Sequence, residues 1–585
     1  MTSFKTKLQG HRLVQALPAP PAEDRRGFIR GVALGAVALS GMGLAGCGGG
    51  GGGSGGDAPA AAFDHGVASG DPLADRVILW SRVSTPEADI AVGWEVASDA
   101  GFANVVSSGS ASANAATDHT VKVDVAGLQP AKAYWYRFKA GAATSPVGRT
   151  RTLPSGNVSQ VRLAVFCCAN YPAGYFNVYA DAAARDDLDA TVHLGDYLYE
   201  YGRGEGASAN EQALNRLVQP AAETLSLADY RARHAQYKTD PDLQALHARA
   251  PMIAVWDDHE VANDTYRSGA QNHQPATEGD FAARKAAAIQ AYHEWMPTRP
   301  GAGERLYRSF DFGDLMSLHL LDTRVIGRDQ QLAYANYFSA AGFDAAGFNA
   351  AVANPERQLL GAEQTLWLQQ QLGASTATWQ LLGQQVLIGR MNIPAAIVAE
   401  ATHPGTGVTV SQYTAIAAKA QTDPASLTPA ERAILAQPFI PYNLDAWDGY
   451  AAARETVLAT ARSLDKNLVV LSGDTHNAWA NDLLDANGNA VGVEFATASV
   501  SSPGFEASLP NENPAALAAS LAQLIVPLQY CDTARRGYLL LTATTAQCRA
   551  DWVYVSTVSS RTYTATTGKS LRVLPGSGQR KISAV

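Results

Sequence analysis

Apolar and polar positions follow two different rhythms along this chain. Between about residues 63 and 153, the runs RVILWSRV, IAVGWEVA, HTVKVDVAGL and KAYWYRFKAG alternate roughly by twos. They are short and rich in β-branched and aromatic residues, which fits strands with one buried face. Gly, Pro and Asp residues between them fit turns, so this segment predicts a small β-sandwich. The pattern YWYRF followed by GRTRTLP is similar to the last strands of a fibronectin-type module. No chemistry-bearing cluster lies in it, and His65 reads as a packing or loop residue.

After about residue 161 the rhythm changes. Four apolar runs each end in a small polar cluster: LAVFCCAN, TVHLGDYLY, MIAVWDDHE and LVVLSGDTHNAW. Near-continuous apolar runs of this length predict strands buried on both faces. Helical patterns fall at residues 211–217, 227–248, 280–295, 358–372, 429–436 and 449–464. Strands interspersed with helices predict an α+β fold around a central sheet. Residues 201–227 and 393–438 read as insertions of the kind that form lids or walls.

Polar residues at the carboxyl ends of buried strands can meet in one crevice. Here they would be Cys168, Asp196, Tyr199, Asp257, Asp258, His259, Asp474 and His476. Thiolate, phenolate, carboxylate and imidazole together suit a transition metal beside a harder cation. Each motif alone has a plainer reading. Tyr199 could be core, Asp257 or Asp258 could cap a helix running into EVAND, and a buried Cys168 could simply pack. Asp474 and His476 stand two apart, which on an extended segment points both to one side.

The chain of 585 residues predicts two domains plus insertions. A formal net charge of -9 argues against a general nucleic-acid binder, so no specific nucleic-acid partner is expected. Residues 1–47 read as an address. Arg25-Arg26 opens a twin-arginine-like signal, so the twin-arginine export machinery is an expected partner. The apolar stretch at residues 31–45 falls short of the roughly 20 residues a spanning helix needs. It ends in Leu44-Ala45-Gly46-Cys47, similar to a lipobox, and lipidation at Cys47 would give a membrane anchor; a plain cleaved signal is the alternative. Residues 48–62 form a Gly-rich linker. The expected location is therefore periplasmic or cell-surface. Cys531 and Cys548 bracket a hairpin-like stretch, and a disulfide between them would suit an oxidising compartment.

The ordered motifs GVASGDP, VILWSR, CCANYPAGY, HLGDYLYEYG, VWDDHEVAND, YRSFDFGDL, LLDTRV, LLGAEQTLWL, WDGY, LSGDTHNAW, VEFATASVSSPG and RRGY resemble the PhoD-like alkaline phosphatase family over nearly the whole chain after the signal. The resemblance implies a fibronectin-like N-terminal β-sandwich at residues 63–153, followed at residues 160–565 by a metallophosphoesterase-type α/β/β/α domain. It implies Fe3+ held by Cys168, Asp196, Tyr199 and His476, with Asp196 bridging to Ca2+ bound by Asp258 and Asp474. His259, with Asp258, takes the catalytic place beside the attacked phosphate. Asn263, Arg324 and Arg390 are candidates for contact with the phosphate of small-molecule phosphate esters or for loop contacts, with surface salt bridges the plainer reading of the two arginines. The family usually reads S-C-Q where this chain has Cys167-Cys168-Ala169, and register favours Cys168 as the ligand. The segment LIGRMNIP and the stretch after it also depart from many members.

The expected function is an exported alkaline phosphatase using an activated water at an iron/calcium site. The alternatives are a phospholipase D-type phosphodiesterase on the same scaffold and a metal-binding surface lipoprotein without activity.

Overall fold

Two β-sheets face each other across a shared core. A computed structural model describes residues 60–299, 304–339 and 342–585. The predicted signal, Cys47 and most of the Gly-rich linker lie outside these residues. No helix among the described residues is long and apolar enough to cross a membrane.

The larger sheet has ten strands. At its centre Gln160–Phe166, Ala190–His193 and Met252–Ala254 run parallel, with Phe166, His193 and Ala254 level at their ends. The smaller sheet has seven strands. Its central members Met316–Leu320, Trp379–Gly383, Leu468–Ser472 and Ala490–Ala496 are also parallel. Alternation explains the packing of the latter sheet. Val469 and Leu471 join the core between the sheets, whereas Leu468 and Val470 face the other way. There they meet Leu368 and Leu372 of the helix Gly361–Ala374 and Val457 and Leu458 of the helix Ala451–Ser463. Helices Asn177–Ala183, Leu227–Lys238, Pro241–Arg249 and Phe281–Trp295 supply Tyr179, Tyr230, Leu246 and Tyr292 to the core of the larger sheet.

The N-terminal strands are hydrogen-bonded into this framework. Val67–Gly70, Arg76–Arg82 and Thr120–Ala126 complete one edge of the ten-stranded sheet, with Gly70 beside Met252. A Cβ at Gly70 would lie 2.2 Å from the carbonyl oxygen of Pro297 and 2.6 Å from that of Met252, so only glycine fits this junction. Asp71, next in the chain, accepts from Arg299 N at 2.6 Å and pairs with Arg308 at 2.6 Å. A separate five-stranded sheet shares a core with these strands through Val77, Leu79, Val92, Val96, Tyr136 and Phe138. His65 is buried edge-on against Trp295, in a packing position.

Several local expectations are corrected. The helical stretch at residues 227–248 breaks at Asp240, whose carboxylate caps a new helix at Asp242 N and Leu243 N, with Pro241 in its first turn. Residues 211–217 form turns without a helix. The insertion at residues 393–438 folds as Ala395–Thr402, Val410–Thr422 and Pro429–Leu435, closed by the pair Asn392–Pro394 and Phe439–Pro441. Cys531 and Cys548 are both free and lie in different sheets, so no disulfide joins them.

Candidate metal centre

The carboxyl ends of the central strands of both sheets open toward one place. Cys168 follows Gln160–Phe166, Asp196 and Tyr199 follow Ala190–His193, and Asp257 to Glu260 follow Met252–Ala254. From the facing sheet come Arg324, Asp474 with His476, and Ser502. Three groups of donor atoms result, each within 4.8 Å: Cys168–Asp196–His476, Asp196–Asp258–His259 and Asp257–Asp258–Asp474. All these residues are buried.

Backbone strain marks the same positions. Cys168, Asp196, Asp474 and His476 have φ of 60°, 53°, 64° and 63°, in the left-handed region. For a residue with a Cβ this costs about 1 kcal/mol or more each. The segment carrying Asp474 and His476 is therefore turned, contrary to the extended segment that the spacing suggested. Tight turning, with Thr475 N bonded to Gly473 O at 2.7 Å, brings the two donors to the site. Gly195 has φ 103°, and a Cβ there would lie 2.3 Å from Asp257 N, so glycine lets the Asp196 and Asp257 loops touch. Nor does a helix start at Asp257; the chain turns, with Val261 N and Ala262 N bonded to Asp258 O.

Tyr199 lies among the first group. Its hydroxyl is 3.0 Å from Asp196 Oδ2 and 3.1 Å from His476 Nε2, and it accepts from Ser502 Oγ at 2.8 Å. His476 Nδ1 is 2.8 Å from Pro503 O, which only accepts, so Nδ1 carries a proton and Nε2 is the nitrogen turned toward Tyr199. Cys167 turns away, its sulfur toward the carbonyls of Thr497 and Ala498.

His259 is held from behind. Its Nδ1 is 2.6 Å from Glu200 Oε2, and its Nε2 has no hydrogen-bond partner among the described residues. Glu200 Oε1 also accepts from Asn263 N at 2.7 Å and Asn272 Nδ2 at 2.8 Å. Glu260 ties the loops together, accepting from Asp196 N, Tyr197 N and Asp257 N at 3.1, 2.6 and 2.7 Å. Sequence reasoning missed the roles of Glu200, Glu260 and Ser502. The first two carried a signal, since each is an acid directly after a donor residue, Glu200 after Tyr199 and Glu260 after His259.

Electrostatics fit a cation site. Burial pushes the Cys168 thiol and the Tyr199 phenol well above their ordinary ranges. Asp196 is pushed up by burial and by Cys168, Asp257 and Asp258, against the opposing pull of His259. Burial would lower His259, but Glu200, Asp196 and Asp258 together raise it to about 10. Negative donors crowded out of water are what a bound cation relieves. The Asp196 Oδ1 atom, buried and without a hydrogen-bond partner among the described residues, fits that reading.

The candidate phosphate contacts fare differently. Asn263 is buried beside the Glu200–His259 pair, and its Oδ1 has no partner among the described residues. Arg324 is fully buried, with its guanidinium taken up by Asp257, Asp445, Asp474 and Asp258. Arg390 is 40% exposed and pairs with Glu455, outside the donor groups. Neither arginine is placed as an open phosphate clamp, because acidic neighbours engage both.

Donor groups clustered at the strand ends of two facing sheets form a candidate metal centre. The PhoD-like phosphatase family matches residues 163–552, and its N-terminal domain matches residues 54–154. The chain belongs to the PhoD-like phosphatase family. It is 36% identical to alkaline phosphatase D of Bacillus subtilis (strain 168) over 555 residues, covering 90% of this chain and 84% of that protein. A solved structure of PhoD matches with a TM-score of 0.72 at 33% identity, covering 91% of this chain and 93% of that one.

Proposed function

We propose that the protein hydrolyses phosphate esters at a site where Cys168, Asp196, Tyr199 and His476 hold ferric iron and Asp258 and Asp474 hold calcium, with Asp196 shared. The observation that carries this is the chain of three donor groups, which overlap at Asp196 and Asp258. Thiolate, carboxylate and phenolate bring enough negative charge for a trivalent ion, and all-oxygen donors suit calcium. When bound, the cations would polarise the phosphoryl oxygens and make water a competent nucleophile near neutral pH.

The protein's own groups do the rest. Glu200 fixes His259 through Nδ1, which leaves Nε2 without a partner among the described residues, in a group with Asp196 and Asp258. From there His259 can donate a proton to a phosphoryl oxygen or to the leaving alkoxide. Asn263 stands next to that pair and offers a neutral contact to the ester. Burial of every donor excludes bulk water and strengthens these interactions.

The N-terminal region extends the reading. Arg25-Arg26 and the sequence ending at Cys47 support twin-arginine export and a lipid anchor, hence a periplasmic or cell-surface location. A core shared by the five-stranded sheet and the N-terminal edge strands of the ten-stranded sheet supports a fibronectin-like sandwich at residues 63–153, ahead of a catalytic domain at residues 160–565.

Elemental analysis and an absorption spectrum of freshly purified protein test the site. Stoichiometric iron and calcium with a visible charge-transfer band are expected. Comparing p-nitrophenyl phosphate with its bis-ester separates monoesterase from diesterase. A colourless protein whose rate ignores chelators would sink the proposal.

A further inference from the structure

We propose that Arg324 is a built-in counter-cation. It assembles the Asp257–Asp258–Asp474 pocket before any metal arrives and fixes the preference of that pocket for a divalent ion. The proposal rests on the two-cation reading above. The guanidinium is completely buried and meets carboxylates from three separate segments. Nε pairs with Asp257 Oδ1, NH2 lies 2.9 Å from Asp474 Oδ1 and 3.7 Å from Asp258 Oδ1, and NH1 lies 2.8 Å from Asp445 Oδ1. Asp257 and Asp258 follow a strand of the ten-stranded sheet, and Asp474 follows a strand of the seven-stranded one. Asp445 follows the short strand pair that closes the helical insertion. Without a positive charge among them, these carboxylates would repel one another out of water.

The arginine is itself held in place. Arg324 N and Val325 N both donate to Asp322 Oδ1 at 2.8 Å. The other oxygen of Asp322 accepts from Trp256 Nε1 at 2.9 Å, immediately before Asp257. Gln385 accepts from Thr323 N at 3.1 Å and donates to Trp256 O at 2.6 Å. The guanidinium therefore cannot leave without disturbing bonds to both sheets. A planar, permanently charged fork suits this bridging.

Charge then sets selectivity. Asp445 is also paired with Arg328, so Arg324 acts chiefly against the three carboxylates of the pocket. Arg324 makes the pocket less negative by one unit of charge, which shifts its preference toward ions of lower charge. Removing it leaves a pocket better matched to a trivalent ion.

The test uses full-length wild type, Arg324→Met and Arg324→Lys, each stripped with a calcium chelator. Melting temperature is measured without added cation, followed by binding of Ca2+ and of Tb3+, the latter by luminescence. The Met variant should melt several degrees lower, and its Tb3+/Ca2+ affinity ratio should rise about tenfold or more. The Lys variant keeps the charge but loses the fork, so it should melt lower while keeping the wild-type ratio. A Met variant with the wild-type ratio, or a Lys variant whose ratio rises, overturns the proposal while the two-cation reading stands. If the Met variant fails to fold, Arg324→Gln takes its place, with the same rise in ratio expected and an unchanged ratio overturning the proposal. Wild-type protein that binds neither ion sinks both.

Discussion

The two ends of the metal centre are buried equally but stabilised differently. Around Cys168, Tyr199 and His476 the support is neutral: a serine hydroxyl on the phenol and a proline carbonyl on the imidazole. Around Asp257, Asp258 and Asp474 the support is an ion pair with Arg324. One end keeps its demand for positive charge, whereas the other has part of that demand met by the protein. The contrast teaches that neighbouring donor groups in a single cavity can differ in how much charge their surroundings leave uncompensated, as well as in donor type.

Asp196 sits where the two ends meet, so changing it should have the largest effect. Asp196→Asn should lower kcat at least about a thousandfold and reduce both metals in elemental analysis. Loss of one metal alone would show that the ends do not share this carboxylate. Next come changes that separate the ends. His476→Ala should deplete iron while calcium is retained, and Asp474→Asn should do the reverse, each lowering activity about a hundredfold. Equal loss of both metals in either variant would break the comparison. Tyr199→Phe should abolish the visible band and cost roughly ten- to a hundredfold in rate, leaving calcium binding unchanged. Ser502→Ala removes one neutral hydrogen bond, worth about 1 kcal/mol, so the band should shift and the rate fall only roughly fivefold. A band that does not move would detach Ser502 from the phenol.

The parts of the site that were legible in the sequence were those with unusual residue types after apolar runs. A thiol, a phenol and clustered Asp and His residues at four strand ends mark a site, because such groups are costly to bury without a purpose. Supporting residues were less legible. Glu200 and Glu260 look like ordinary acids until their partners are known, namely the His259 imidazole and three backbone amides. Arg324 shows the converse. It read as a phosphate or loop contact or a surface salt bridge, yet it is completely buried and four carboxylates reach it from elsewhere in the chain. The helix break at Asp240 was written locally as Asp followed by Pro, but the continuing apolar pattern concealed it.

By itself the sequence determined which segments are buried strands, which residues at their ends are candidate cation donors, and the family to which they conform. Period and residue type are local properties, and local sterics and desolvation act on them directly. Only the tertiary structure decided that the N-terminal strands complete the large sheet, that Cys531 and Cys548 stay apart, and that Arg324 faces inward. Those outcomes depend on pairings between residues far apart in the chain. Strand register and buried charge balance are settled only when both partners are in place.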